Sequence, residues 1–285
     1  MMVKKIRTIS SLAVVLMLLI ALPMMAQEAQ ITTLSVKASK MSAPVECTVV
    51  VPVEYNDMDC QNTQYPVLYL LHGHGGDHMN WVNKKSDLPD LASQYGVIIV
   101  CPNGRASWYW DSPVDSESQF ETFVAKDLVE FVDDNFRTIP EPGMRAITGL
   151  SMGGHGALFV GLRHPDVFGS CGSMSGGVDI RPFPDSWGMK KVLGDYESNK
   201  EVWDSHTVIE LVKGGLTTTQ NIAFECGVDD FFNEVNRNLH KAMVDAKIKH
   251  DYTERPGGHT WAYWCNALDY QMLFFSKAFD ACLGE

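Results

Sequence analysis

The chain has 285 residues, a formal net charge of −12 and 45 % apolar residues. That length suits one large domain, and the acidic balance argues against nucleic acid and anionic membranes as partners. Seven cysteines without a single C-x-x-C pair give no support to zinc-ribbon or thioredoxin-like readings.

The N-terminus reads as an export signal. Lys4, Lys5 and Arg7 precede the unbroken apolar run Leu12 to Leu22, Pro23 ends that run, and Ala26 offers a small residue for cleavage. The run is shorter than the roughly 20 residues a spanning helix needs. Residues 1–26 are therefore expected to be a signal peptide and 27–285 one domain, secreted or periplasmic, with no membrane attachment after processing. Because the removed segment is basic, the mature chain is more acidic still. An odd cysteine count leaves at least one thiol unpaired. Cys101 and Cys226 end strand-like runs and suit the role of small apolar residues, whereas Cys47 and Cys60 could pair.

Val45 to Tyr55 reads as an extended early strand. Short apolar runs follow at Pro66 to Leu71, Gly96 to Cys101, Arg145 to Thr148, Phe168 to Met174 and Asn221 to Cys226. Such runs, bounded by Gly, Pro and Asn, mark strands buried on both faces. Helical segments are expected at Ser118 to Asn135, Met152 to Arg163, Asn233 to Ala246 and Trp261 to Cys282. The alternation implies an α/β fold, a mostly parallel sheet with helices on both faces, in a single domain. Chemistry in such sheets belongs to loops at the carboxyl ends of strands.

One such loop is Gly149-Leu150-Ser151-Met152-Gly153, a G-x-S-x-G turn between a strand and a helix-forming stretch. The turn holds Ser151 Oγ clear of the sheet at a helix N-terminus, where a nucleophile belongs. A serine needs a base, and the base needs a carboxylate to fix its tautomer. Of the later histidines, His155 lies along the helix and His164 suits its C-terminal end. His206, His240 and His250 have no special loop. His259 follows the Gly-rich loop Arg255 to Gly258 after a strand and is the candidate base. The acid falls in Gly227-Val228-Asp229-Asp230, where position alone does not separate Asp229 from Asp230. Two backbone N–H groups must meet the oxyanion. Met152 supplies one, and His74, in the loop His72-Gly73-His74-Gly75-Gly76, is the candidate for the other.

The same loop carries a rival chemistry. His72, His74, Asp77 and His78 approximate the His-x-His-x-Asp-His zinc motif of metallo-β-lactamase-like hydrolases, but with one residue too many between His74 and Asp77. A non-catalytic module binding a glycan is a further alternative, although a pure binder needs neither triad nor oxyanion loop. No cofactor or metal is expected.

Taken together the motifs resemble the Putative esterase family of α/β-hydrolases. The resemblance rests on Leu71-His72-Gly73 with Gly76 and Trp81, then Asn103-Gly104 with Ser107-Trp108-Tyr109 and Asp111-Ser112. It continues through Gly149 to Gly154, Cys226-Gly227-x-x-Asp230 and Gly258-His259-x-Trp261. That family groups esterase D (S-formylglutathione hydrolase), tributyrin-type acetylesterases, feruloyl esterases and mycolyltransferases. The resemblance implies a Ser151–His259–Asp230 triad and oxyanion donors at Met152 and His74. It implies a small-molecule or oligosaccharide ester as substrate, with feruloyl and acetyl esterases of plant polysaccharides the nearest type. An acyltransferase or a thioesterase like S-formylglutathione hydrolase is the alternative, the latter at odds with export. The extra His74 and His78, and Cys101 in place of a polar residue, depart from the family pattern. Trp81, Trp108, Tyr109, Trp110, Trp261 and Trp264 cluster beside the catalytic loops, and Trp108 and Trp261 are the expected pocket lining.

Overall fold

Wholly apolar pentapeptides dictate the centre of the molecule. In Val67–Leu71 every residue is buried. Val67, Tyr69 and Leu71 join one hydrophobic core while Leu68 and Leu70 join a second. This is the period of two that a strand imposes, and it places one core on each face of the sheet. A computed structural model describes residues 29–284; the export signal expected over residues 1–26 lies outside them.

Eight strands form one sheet: β1 (Gln30–Val36), β2 (Val45–Val51), β3 (Val67–Leu71), β4 (Ile98–Pro102), β5 (Arg145–Gly149), β6 (Ser170–Met174), β7 (Asn221–Gly227) and β8 (Asp251–Arg255). Their spatial order is β1-β2-β4-β3-β5-β6-β7-β8. β2 runs antiparallel to both neighbours, and all strands from β4 to β8 are mutually parallel. The chain steps from β3 back to β4 and then across to β5. The strand order therefore reverses between β3 and β5, and a crevice at the carboxyl ends of these strands is the expected ligand site. Leu71 pairs with Gly149, so the loops leaving β3 and β5 start level and side by side.

The expected α/β class and parallel sheet are present, with local differences that have physical causes. β1 is an additional strand. Its Thr- and Ser-containing sequence is largely exposed, so no continuous apolar run marks it. β2 stops at Val51 rather than Tyr55 because Pro52 has no N–H to donate, and Val53–Asn56 forms a 3₁₀ turn. The segment expected as one helix from Ser118 begins at Phe120 and contains a π-helical stretch, Phe123–Asp127, before Leu128–Asn135. Cys47 and Cys60 are not bridged. Cys47 is buried inside β2, Cys60 sits on a half-buried turn, and all seven thiols are free.

The elbow helix, Met152–Arg163, is buried from Met152 through Leu162, which explains a buried imidazole on it. His155 accepts from Trp110 Nε1–H at 2.8 Å, so its proton lies on Nδ1, 2.9 Å from the Gly177 carbonyl. Burial pushes its pKa down from 6.5 to about 3, and burial likewise brings His72 to about 4. Both histidines protonate more readily once unfolded, so stability falls as pH drops below about 6.5. At pH 5 each imidazole should lower the unfolding free energy by about 2 kcal/mol relative to pH 8. Urea midpoints across this range should fall steadily, above the pH where most carboxylates titrate; a flat profile contradicts this reading.

Candidate active site

Ser151 sits between β5 and the elbow helix with φ 56° and ψ −117°. A side-chain-bearing residue in this region is strained, and the surrounding backbone holds it there. Ser151 N–H donates to the Met174 carbonyl at 2.9 Å, and the Ser151 carbonyl accepts from His155 N–H at 3.0 Å. The flanking glycines are sterically required. A Cβ on Gly153 would lie 2.5 Å from the His72 carbonyl oxygen and 2.6 Å from that of Leu71. One on Gly149 would lie 2.7 Å from the Gly153 backbone. The helix must begin hard against the end of β3, and only glycine permits it.

Two later strands deliver the partners. β7 ends at Gly227, and the turn after it buries Asp230 while leaving Asp229 exposed. β8 ends at Arg255, and the following loop carries His259. His259 Nε2 lies 2.8 Å from Ser151 Oγ, and its Nδ1 lies 2.8 and 3.0 Å from the two Asp230 oxygens. Asp230 Oδ1 also accepts from Phe232 N–H at 2.9 Å, which fixes the carboxylate plane. The imidazole is held between rings: Phe231 at 4.3 Å and Trp264 edge-on at 4.8 Å between centroids. Ser151, His259 and Asp230 thus form one hydrogen-bonded chain. The two aspartates, equivalent by sequence position, are separated by burial and by contact.

The loop after β3 turns tightly at Gly73 to Gly76, closed by Gly76 N–H to the Gly73 carbonyl at 3.1 Å. A Cβ on Gly73 would come within 3.4 Å of Ser151 Cβ, so this loop lies against Ser151. Among the described residues, neither His74 N–H nor Met152 N–H has a hydrogen-bond acceptor. The rival zinc ligands do not converge. His72 has both ring nitrogens engaged, one with Gly73 and one with Gly104. No group of three or more potential ligands gathers among the described residues.

At Ser151 opens a cleft of about 510 Å³ whose lining includes Trp261, Trp264, Leu150, Trp187 and Phe231. Of the two expected lining residues, Trp261 borders this cleft and Trp108 does not. Trp108 is 1 % exposed and stacks on Trp110 at 5.5 Å behind the cleft wall, because the β4-exit loop folds inward. Tyr109, Trp110 and Trp81 are also buried packing residues. Trp187, which sequence reasoning missed, takes that place half-buried and stacks on Phe231 at 5.9 Å. Its φ is 49°, and that of the adjacent Gly188 is 71°. In sequence it lies in an aperiodic stretch between Pro184 and Gly188 that gives no element signal.

The family described as Putative esterase matches residues 38–275. The chain belongs to that family. The esterase is 30 % identical over 239 residues to an acetyl esterase of Caldicellulosiruptor saccharolyticus, covering 79 % of this chain and 87 % of that protein. Among solved structures it resembles a ferulic acid esterase, with TM-score 0.75 and 27 % identity, covering 88 % of this chain and 99 % of that one. The S-formylglutathione hydrolase of Agrobacterium tumefaciens shares the fold, with TM-score 0.74 at 21 % identity over 89 % of this chain and 97 % of that one. Among the described residues of the esterase, no helix is long and apolar enough to cross a membrane.

The packing at Gly153 carries a direct test. Gly153→Ala forces a methyl group against two carbonyl oxygens that belong to β3 and its exit. It should lower the unfolding free energy by about 2 kcal/mol or more and sharply reduce turnover of nitrophenyl acetate. An unchanged urea midpoint together with unchanged turnover would contradict the steric account.

Proposed function

We propose that this esterase is an exported, secreted or periplasmic serine carboxylesterase. In this reading it removes acetyl or feruloyl groups from plant polysaccharide-derived sugars through an acyl-enzyme on Ser151. The single observation that carries the mechanism is the unbroken hydrogen-bonded chain from Asp230 through His259 to Ser151 Oγ. In that chain Asp230 holds the proton-bearing Nδ1, leaving Nε2 bare toward Ser151. Ser151 Oγ attacks the ester carbonyl while Nε2 takes its proton, and Asp230 stabilises the imidazolium that results. The carbonyl electron pair moves onto oxygen, where Met152 and His74 N–H groups donate to it. As the tetrahedral intermediate collapses, the C–O bond to the alcohol breaks and His259 protonates the leaving oxygen. A water, deprotonated in turn by His259, then attacks the acyl carbon; the bond from Ser151 Oγ to that carbon breaks, His259 returns the proton to Oγ, and the acid leaves.

Support for sugar esters comes from two directions. The related proteins include an acetyl esterase and a ferulic acid esterase. The cleft presents flat aromatic faces, Trp187 and Trp261, that suit a phenolic acyl group or a sugar ring.

Ser151→Ala should abolish turnover of nitrophenyl acetate and labelling by a fluorophosphonate; retained turnover would sink the mechanism. Asp230→Asn should lower kcat by about 10⁴-fold, whereas Asp229→Asn should change it by no more than about twofold; the reverse ranking would reassign the acid. For substrate class, acetylated xylan, methyl ferulate and short nitrophenyl esters should be compared. Trp187→Ala should raise KM for the first two by at least about fivefold, with little effect on nitrophenyl acetate. Equal effects on all three would remove Trp187 from substrate binding.

A further inference from the structure

The oxyanion loop contains three glycines in four positions, Gly73 to Gly76, and a loop of that composition has little intrinsic reason to hold one peptide orientation. The structure supplies the restraint from beneath. The Gly73 carbonyl accepts from Gly76 N–H and also lies 2.7 Å from His72 Nδ1. His72 Nε2, on the other side of the ring, accepts from Gly104 N–H at 2.8 Å. Because Gly104 N–H must donate there, Nε2 is unprotonated. The ring proton therefore lies on Nδ1 and is donated to the Gly73 carbonyl. The His72 backbone is clamped in turn by the Tyr109 hydroxyl, which accepts from His72 N–H at 3.1 Å and donates to its carbonyl at 3.2 Å. His72 is 1 % exposed, so none of these bonds competes with bulk water.

The Gly73 carbonyl and the His74 N–H belong to the same peptide unit. No cis peptide occurs among the described residues, and in a trans peptide the C=O and N–H bonds point in opposite directions. Fixing the direction of the carbonyl therefore fixes the direction of the N–H. We propose that His72 is a positioning residue for the reaction: its Nδ1–H holds the Gly73–His74 peptide plane so that the His74 N–H faces the oxyanion. The inference rests on the reading of Ser151 as nucleophile and of His74 N–H as a donor. Burial keeps the imidazole neutral well below pH 6.5, as the arrangement requires, since a proton on Nε2 would oppose Gly104 N–H.

Three substitutions separate positioning from packing. In His72→Asn the side-chain amide nitrogen can stand where Nδ1 stands and keep the bond to the Gly73 carbonyl. In His72→Gln the amide reaches the Nε2 position and leaves that carbonyl without its side-chain donor. His72→Phe keeps ring volume and loses both bonds. Thermal melts confirm folding, and kinetics with nitrophenyl acetate are read as kcat and KM separately. The expected result is kcat within about tenfold of the parent for Asn, and a loss of about 10²-fold for Gln and Phe, the size of one oxyanion donor. KM should stay within about threefold throughout. Affinity for a trifluoromethyl ketone, whose adduct with Ser151 carries the oxyanion, should fall in step with kcat.

Equal losses for Asn and Gln, a loss carried by KM, or an unchanged ketone affinity overturns the proposal. Where the Phe variant does not fold, the Asn and Gln pair decides. A parallel Ser151→Ala measurement keeps the two readings apart. Turnover without Ser151 defeats the esterase mechanism itself, whereas an inactive Ser151→Ala beside a fully active His72→Gln overturns only the role of His72.

Discussion

The close approach of β3 and β5 governs the site. Their register, Leu71 against Gly149, brings two loop exits level, and the elbow helix must start against the carbonyls of Leu71 and His72. Glycine at 149 and 153 relieves the crowding, and Ser151 takes the remaining strain in its left-handed backbone. A strained residue of this kind costs on the order of 1–3 kcal/mol. It persists because two hydrophobic cores, one on each face of the sheet, leave the strand and the helix no other seat.

From that constraint the remaining geometry follows. The helix N-terminus lies behind Ser151 and the Gly-rich turn lies beside it, and in the proposed mechanism the Met152 and His74 N–H groups serve as the oxyanion donors. Preorganised donors of this sort need no reorganisation when charge develops. The histidine arrives from β8, three strands away, and is steadied by Phe231 and Trp264 instead of by backbone bonds. Burial divides the neighbouring aspartates: Asp230 is enclosed and bonded, while Asp229 faces water.

The buried imidazoles share one physical logic. His72 and His155 are each enclosed, each neutral and each fixed in a single tautomer by an N–H donor on one nitrogen and a carbonyl on the other. His72 ties the β3 exit to the β4 exit. His155 ties the elbow helix to the segment after β6 and to Trp110. Both carry polar bonds through regions where an unpaired group would be costly, and both brace loops that border Ser151.

The sequence by itself determined the α/β class, because runs such as Val67–Leu71 are wholly apolar and can be buried only on both faces. It also determined the elbow, since Gly149, Ser151 and Gly153 are legible wherever a strand runs into a helix, and it brought forward His259 as the one histidine downstream of Ser151 that follows a Gly-rich strand exit. Local pattern left Asp229 and Asp230 equivalent and only the family resemblance pointed to Asp230; the tertiary structure separates the two, because adjacent residues differ in burial and contact and not in local pattern. It also exchanged Trp108 for Trp187 in the cleft wall, since a tryptophan's type does not tell whether its loop folds inward or outward. The same holds for His72, which in sequence is one more histidine of a Gly-rich loop. Its partners, Gly104 and Tyr109, lie 32 and 37 residues away along the chain, and only the pairing of β3 with β4 brings them together.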